Sequence, residues 1–320
     1  MGKKDAVSTR YLNNSERFAQ IWNNNGFGGR QVIRPEYLRS IDSVELMVSG
    51  IHASELEILK KYRDTIRVYD DRMVLMIMGI ENQEDIHYAM PLRQMLYDVM
   101  RYEEQRKTIE DRHKKKRDLR GAEYVSGIAK TDRLMPVLTM VVYWGSKPWD
   151  GPKSLHEMLD IPPVLAHYKG SINDYKMNLM EVRAIENLDA YDGELRMVLG
   201  FVKYQRDKAL LQEFVEKNEA MLREVTTETL QAISVLGNVH EMDRYLDQAD
   251  REERVDMCQA LQEMIMDGRL EEKLEGIKAL VETCQEFGAT KEETREKLMR
   301  KCSLNKDDAE KYVEQYWQHQ

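Results

Sequence analysis

The sequence is short of cysteine. Cys258, Cys284 and Cys302 are widely spaced and odd in number. No zinc-type spacing relates them, so they read as reduced, half-buried helix residues and not as a disulfide framework. Long apolar runs are missing as well. No stretch approaches a membrane-spanning length and charged residues make up 33% of the chain, which points to a soluble protein with no membrane partner. The opening MGKKDAVSTR lacks the apolar centre of a secretory signal. Gly2 invites myristoylation, but Ala6 stands where Ser or Thr is required. A cytoplasmic location is therefore expected. HExxH is absent too, so His156, in LHEML, reads as a hydrogen-bonded structural residue.

A positive net charge is also lacking. The total is −9, which at first argues against a polyanionic partner. The distribution matters more: residues 1–180 hold 28 Lys and Arg against 25 Asp and Glu, whereas residues 181–320 hold 20 against 32. The acidity lies in the C-terminal part, and a local basic patch in the first part can still grip phosphate.

What is present centres on Lys61–Tyr97. Asp64 opens a short polar-apolar run, a turn is expected at Asp70-Asp71-Arg72, and a continuous apolar run follows from Met73 to Ile80. Such a run, bounded by polar residues, is how a strand buried on both faces reads. It ends in Glu81-Asn82-Gln83. Asp64 and Glu81 can thus sit on neighbouring strands of one hairpin, and alternation puts Glu81 and Gln83 on one face. Two carboxylates so placed suit Mg²⁺, which takes oxygen ligands and can activate water at a phosphodiester. Carboxylates at strand ends are also common solvated surface.

The run RD…IENQ…HYAMPLRQMLYDVMRYEEQ resembles the PD-(D/E)xK nuclease superfamily, and within it the Rpn branch (recombination-promoting nuclease, YhgA-like). RFAQIWNNNGFGGRQVIRPEYLRSID, GAEYVSGIAKTDRLMPVLTMVVYWGSKPWDGPKSLHEML and the tail QEFGATKEETREKLMRKCSLNKDDAEKYVEQYW extend the resemblance over nearly the whole chain. It implies an α/β fold with a mixed sheet flanked by helices, followed by an all-helical C-terminal region. It also implies a metal-dependent DNA endonuclease of low sequence preference, linked to recombination or mobile elements. Asp64 and Glu81 would be the acids and, with the main-chain carbonyl of Asn82, the ligands of Mg²⁺, with Mn²⁺ as a substitute. Gln83 takes the place of the motif lysine. Its amide can orient a water but brings no charge. That departure motivates an alternative reading, a weak or silent DNA-binding or assembly protein on a nuclease scaffold. RNA as substrate is not separable from DNA here, and no DDE pattern is evident.

Around this centre, residues 11–25 read as a helix capped by Asn13 or Asn14 and ended by Gly26, Gly28 and Gly29. Glu16 is the candidate acid supporting the metal from a first helix, or an exposed first-turn glutamate favoured by the helix dipole. Residues 30–60 contain the apolar pieces Val44–Val48 and Leu56–Leu59, without an assignment for the first. A long helix is expected from Tyr88 to Arg117, with Ala89, Leu92, Leu96, Val99 and Met100 at helical spacing and Pro91 in its first turn. Arg93, Tyr97 and Gln105 share a face of it. Arg93 either touches phosphate or pairs with a nearby acid, and Tyr97 is a supporting candidate. The run Lys114-Lys115-Lys116-Arg117 either tracks a DNA backbone or is a solvated helix end.

Leu134–Trp144 reads as a second buried strand and Tyr175–Val182 as an edge strand, with Leu179 and Glu181 on one face. From Gly193 the chain reads as helical, in segments 193–218, 224–236 and 241–266. A final module contains a helix over Leu270–Phe287, a Thr290/Glu293 capping box and an Asn305 cap with Asp308 at the same offset. The expected organisation is a nuclease-like domain over 1–205, a helical extension over 206–267 and a small module over 268–320. Its amphipathic helices make it the expected surface for a homo-oligomer.

Overall fold

The computed structural model describes residues 3–40, 65–71, 75–239, 242–246, 254–302 and 304–317. Asp64, Val44–Val48 and Leu56–Leu59 lie outside the described residues. The chain divides into two compact units, Met1–Val255 and Asp256–Gln320. Among the described residues no helix is long and apolar enough to cross a membrane.

The first unit is built on a five-stranded mixed sheet in the order β1-β2-β3-β4-β5. The strands are β1 (Leu38–Ser40), β2 (Thr65–Asp70), β3 (Leu75–Gln83), β4 (Val137–Tyr143) and β5 (Asn178–Glu181). β1, β2 and β3 are antiparallel neighbours, while β3, β4 and β5 run parallel. β3 and β4 are central and bury both faces, which is why both read as continuous apolar runs. β5 is an edge strand, as its alternation indicates. The parallel β3–β4 pair requires a crossover, supplied by α3 (Met90–Lys116) and α4 (Gly121–Ser126).

Two helices open the unit, α1 (Lys3–Leu12) and α2 (Ser15–Ile21). The single helix expected over residues 11–25 is thus two elements. Asn14 caps α2, its side-chain oxygen accepting from the Glu16 and Arg17 amides at 2.9 and 3.2 Å. One π-helical turn, Trp22–Gly26, closes it. A Cβ on Gly26 would meet Trp22 at 2.6 Å and Met140 at 3.5 Å, so this layer covers the β4 face opposite to α3. Further helices follow: α5 (Gly193–Tyr204), α6 (Lys208–Lys217) and α7 (Thr227–Leu236). The stretch read as one helix over 193–218 breaks at Asp207, whose side chain caps α6. Arg17 joins α2 to α7 by an ion pair with Glu228 at 2.6 Å, and Tyr11 reaches Thr229 at 3.2 Å.

α3 is unusual in polarity. Its buried residues include Gln94, Tyr97, Asp98 and Arg101. The residues whose spacing marked it as a helix, Leu92, Leu96 and Val99, are 47%, 55% and 54% exposed. The sheet explains this. Thr139 on β4 donates to Asp98 at 2.9 Å, and the Tyr175 hydroxyl donates to the same carboxylate at 2.6 Å. Gln105 brackets Met135, accepting from its amide at 2.6 Å and donating to its carbonyl at 3.2 Å. A helix that meets polar groups turns its polar side inward, because buried polar groups need partners.

The second unit contains α8 (Met257–Glu286), α9 (Lys291–Cys302) and α10 (Lys306–Tyr316). α8 runs on through Gly268, so it begins well before the expected Leu270. Ile277, Val281, Leu298, Ala309 and Val313 form its core. Gly288, at φ +74°, ends α8 in the left-handed region that glycine tolerates. Thr290 and Glu293 form the expected capping box: the Glu293 amide donates to the Thr290 hydroxyl at 3.2 Å, and the Thr290 amide donates to the Glu293 carboxylate at 2.8 Å. Asn305 accepts from the Asp308 amide at 2.8 Å.

Candidate functional site

Glu81, Asn82 and Gln83 end β3, and the pleat turns Glu81 and Gln83 toward α3. Ile77, on that same face, packs with Val68 and Val137, and Tyr102 of α3 packs against them. Glu81 is 2% exposed. Its carboxylate pairs with the Arg93 guanidinium at 2.8 Å, and Arg93 in turn donates from Nε to the Tyr97 hydroxyl. Arg93 therefore takes the acid-pairing alternative, and Tyr97 supports it. Tyr97 lies one helical turn beyond Arg93, and both sit at the helix end nearest β3.

Gln83 adds a further contact. Its amide nitrogen donates to the Asn82 carbonyl at 2.8 Å and to Glu81 Oε1 at 3.3 Å. Those two oxygens thus converge on one point. The Asn82 side chain faces the other way and accepts from Trp144 Nε1 at 2.9 Å, which holds the end of β3 to the end of β4.

Register extends the site across the sheet. Gln83 pairs with Tyr143, and Tyr143 pairs with Glu181. These three form one row at the ends of β3, β4 and β5. Glu181 accepts from the Trp149 amide at 2.9 Å and pairs with Lys153 at 3.1 Å. Tyr143 is buried, with its ring edge-on to Trp149 at 5.2 Å. Burial raises its phenol pKa above the ordinary value, and the charges of Asp85, Glu181 and Asp150 push the same way. Sequence reading placed Glu181 on the correct strand face but gave neither it nor Tyr143 a role. Only strand register brings them beside Gln83.

The other sequence candidates are scattered. Asp64 lies outside the described residues. It directly precedes Thr65, which pairs with Ile80, the neighbour of Glu81. Glu16 is exposed in the first turn of α2, in the layer that covers the opposite sheet face. Lys114, Lys115, Lys116 and Arg117 sit at the far end of α3, about 33 Å along the helix from Arg93 at 1.5 Å per residue. Lys114 pairs with Glu110 at 2.7 Å, and Arg117 closes the helix in the left-handed region at φ 52°. Among the described residues no three His, Cys, Asp or Glu side chains group as a metal site.

Residues 78–232 match the family model described as "Putative transposase, YhgA-like". The segment from β3 to α7 belongs to this YhgA-like family. The matched segment contains Glu81, Asn82, Gln83, Arg93, Tyr97 and the basic end of α3, together with the row through Tyr143 and Glu181. Glu16 and Asp64 fall before it. No curated protein and no solved structure matches the chain.

Proposed function

We propose that this YhgA-like protein is a metal-dependent DNA endonuclease of the PD-(D/E)xK type, acting with low sequence preference in recombination or on mobile elements. The strand order supports the reading: an antiparallel β1-β2-β3 meander, a crossover helix, then a parallel strand. The observation that carries it is the convergence of Glu81 Oε1 and the Asn82 carbonyl on the Gln83 amide. Two hard oxygen acceptors aimed at one point fit a divalent cation. Glu81 and Asn82, with Asp64, the residue that precedes β2 in the sequence, would hold Mg²⁺ or Mn²⁺. The cation, when bound, supplies charge stabilisation and a more acidic water.

The chain's own residues do the rest. Gln83 releases its two acceptors and turns its amide to orient the attacking water. Arg93 balances the buried Glu81 carboxylate in the resting site, where the Tyr97 hydroxyl helps to hold it, and its guanidinium turns toward the phosphate when substrate binds. The exposed lysines at the far end of α3 meet the duplex about one helical turn away. The C-terminal unit joins two copies. A second reading, a DNA-binding protein with little or no cleavage, draws on Gln83 in the lysine position and on the Arg93–Glu81 pair.

Cleavage of supercoiled plasmid tests the choice. Activity with Mg²⁺ or Mn²⁺ that disappears in EDTA and in Glu81→Ala is the expected result. Gln83→Lys should raise the rate. A folded protein that binds DNA but nicks nothing under either metal would leave only the second reading.

A further inference from the structure

Beyond the end of β4 the backbone carries two cations side by side. The Arg183 guanidinium donates from Nε to the Gly145 carbonyl at 3.0 Å. Arg206 donates from Nη1 to the next carbonyl, Ser146, at 3.4 Å. Successive carbonyls hold them, and the Arg206 charge is close enough to act on Arg183. Among the described residues neither pairs with a carboxylate. Glu181, the acid of the adjoining row, is already engaged by Lys153 and by the Trp149 amide. Arg183 is half-buried and Arg206 exposed, and the exposed Lys147 follows in the same loop. Burial and the neighbouring Arg206 charge both push the Arg183 pKa below its ordinary value, the direction expected for a cation that lacks an anion.

Two adjacent guanidiniums repel, and fixed forks with free donors suit phosphate oxygens. The loop leaves the carboxyl ends of parallel strands, where ligands of α/β sheets bind. It begins two residues past Tyr143, whose row contains Gln83. We infer that Arg183 and Arg206 form a phosphate clamp for a nucleic-acid backbone, holding a phosphodiester on the β4–β5 side of the Glu81–Gln83 site. The inference rests on the nuclease reading for its substrate, but it concerns binding and not cleavage.

The test is binding of a fluorescent DNA duplex in EDTA, with the full chain, over a range of salt concentrations. Arg206→Gln is the main variant. Arg206 is exposed with one long hydrogen bond, so the fold tolerates the change. Arg206→Glu and the double variant with Arg183→Lys extend it, and Lys297→Gln on α9 controls for net charge. Losing one phosphate contact lowers the slope of log affinity against log salt by about 0.9, which is about eightfold in affinity at 0.1 M salt. Arg206→Gln should show that loss, Arg206→Glu a larger one and Lys297→Gln none. Arg206→Lys should recover most of it.

An unchanged slope and affinity in Arg206→Gln overturns the clamp, even if Glu81→Ala still abolishes cleavage. Absence of metal-dependent cleavage by the wild type, with the Arg206→Gln loss of binding still seen, is the converse case, so the two readings fail separately. A duplex of RNA run beside the DNA shows which backbone is preferred. Displacement of DNA by inorganic phosphate beyond an ionic-strength-matched chloride control would make this a small-anion site and overturn the backbone assignment.

Discussion

Gly145 should not tolerate a side chain. An added Cβ would lie 2.2 Å from Cζ and the hydroxyl oxygen of Tyr143 and 2.4 Å from Cε2. Carbon atoms in good contact are roughly 3.5–4.0 Å apart, so the ring must retreat by more than an ångström. It has little room. Tyr143 is buried and stands edge-on to Trp149 at an interplanar angle of 84°, and Trp149 Nε1 donates to the Gly151 carbonyl at 2.9 Å. Overpacking of this kind costs about 1–3 kcal/mol, which for a unit of this size lowers Tm by roughly 2–12 °C. Thermal unfolding of Gly145→Ala reads the effect directly. A double-mutant cycle isolates its cause. Tyr143→Leu alone destabilises by opening a cavity, but Gly145→Ala added in that background should cost almost nothing further. An unshifted Tm in the single variant refutes the reasoning, and so does an equal penalty in both backgrounds.

Two further outcomes are expected. The His113 ring lies between Asp118 at 2.7 Å and Asp132 at 2.8 Å, and these hydrogen bonds raise its pKa above the ordinary 6.5. Asp118 is held below its ordinary 3.8, chiefly by His113, and Asp132 likewise, by the Ala129 amide first and then His113. Arg112 also pairs with Asp132 at 2.9 Å, and the Lys116 charge acts on Asp118. A raised histidine stabilises fully below its unfolded pKa and loses that contribution as pH rises through the folded value; the lowered carboxylates lose theirs as pH falls through their folded values. Stability measured by chemical denaturation should therefore fall as the pH rises from 6.5 through the raised folded value, and His113→Gln should flatten that limb. Separately, light scattering should give a multiple of the chain mass for the full protein and a monomer when the chain ends at Val255. A monomeric full-length chain removes the proposed self-association.

The legible parts of the fold carried local signals. β3 and β4 announced themselves as apolar runs because helices cover both their faces, and β5 alternated because it is an edge. Both caps in the C-terminal unit were readable, since a cap is a matter of three residues. Glu81, Gln83, Arg93 and Tyr97 were legible as a group because one strand end and one helical turn hold them. Properties set by distant partners were not. The inward face of α3 is polar because Thr139 and Tyr175 supply hydrogen bonds, which its own periodicity does not encode. α1 escaped notice because its buried Val7, Tyr11 and Leu12 are few among polar neighbours. The row through Tyr143 and Glu181, and the clamp beside it, depend on register between strands far apart in sequence.

The crossover also sets the order in which the sheet assembles. β2 and β3 are close in the chain and meet by closing a short loop. β4 reaches β3 only through pairs such as Ile77 with Val137, with all of α3 between them. Loop closure over that span must precede the contacts that reward it. The hairpin and α3 are therefore the early structures, and β4 with β5 dock late. Until they do, the Gln83 end of β3 presents an unpaired strand edge. During synthesis that edge waits for about sixty further residues to emerge, a delay of several seconds at the usual rate of elongation.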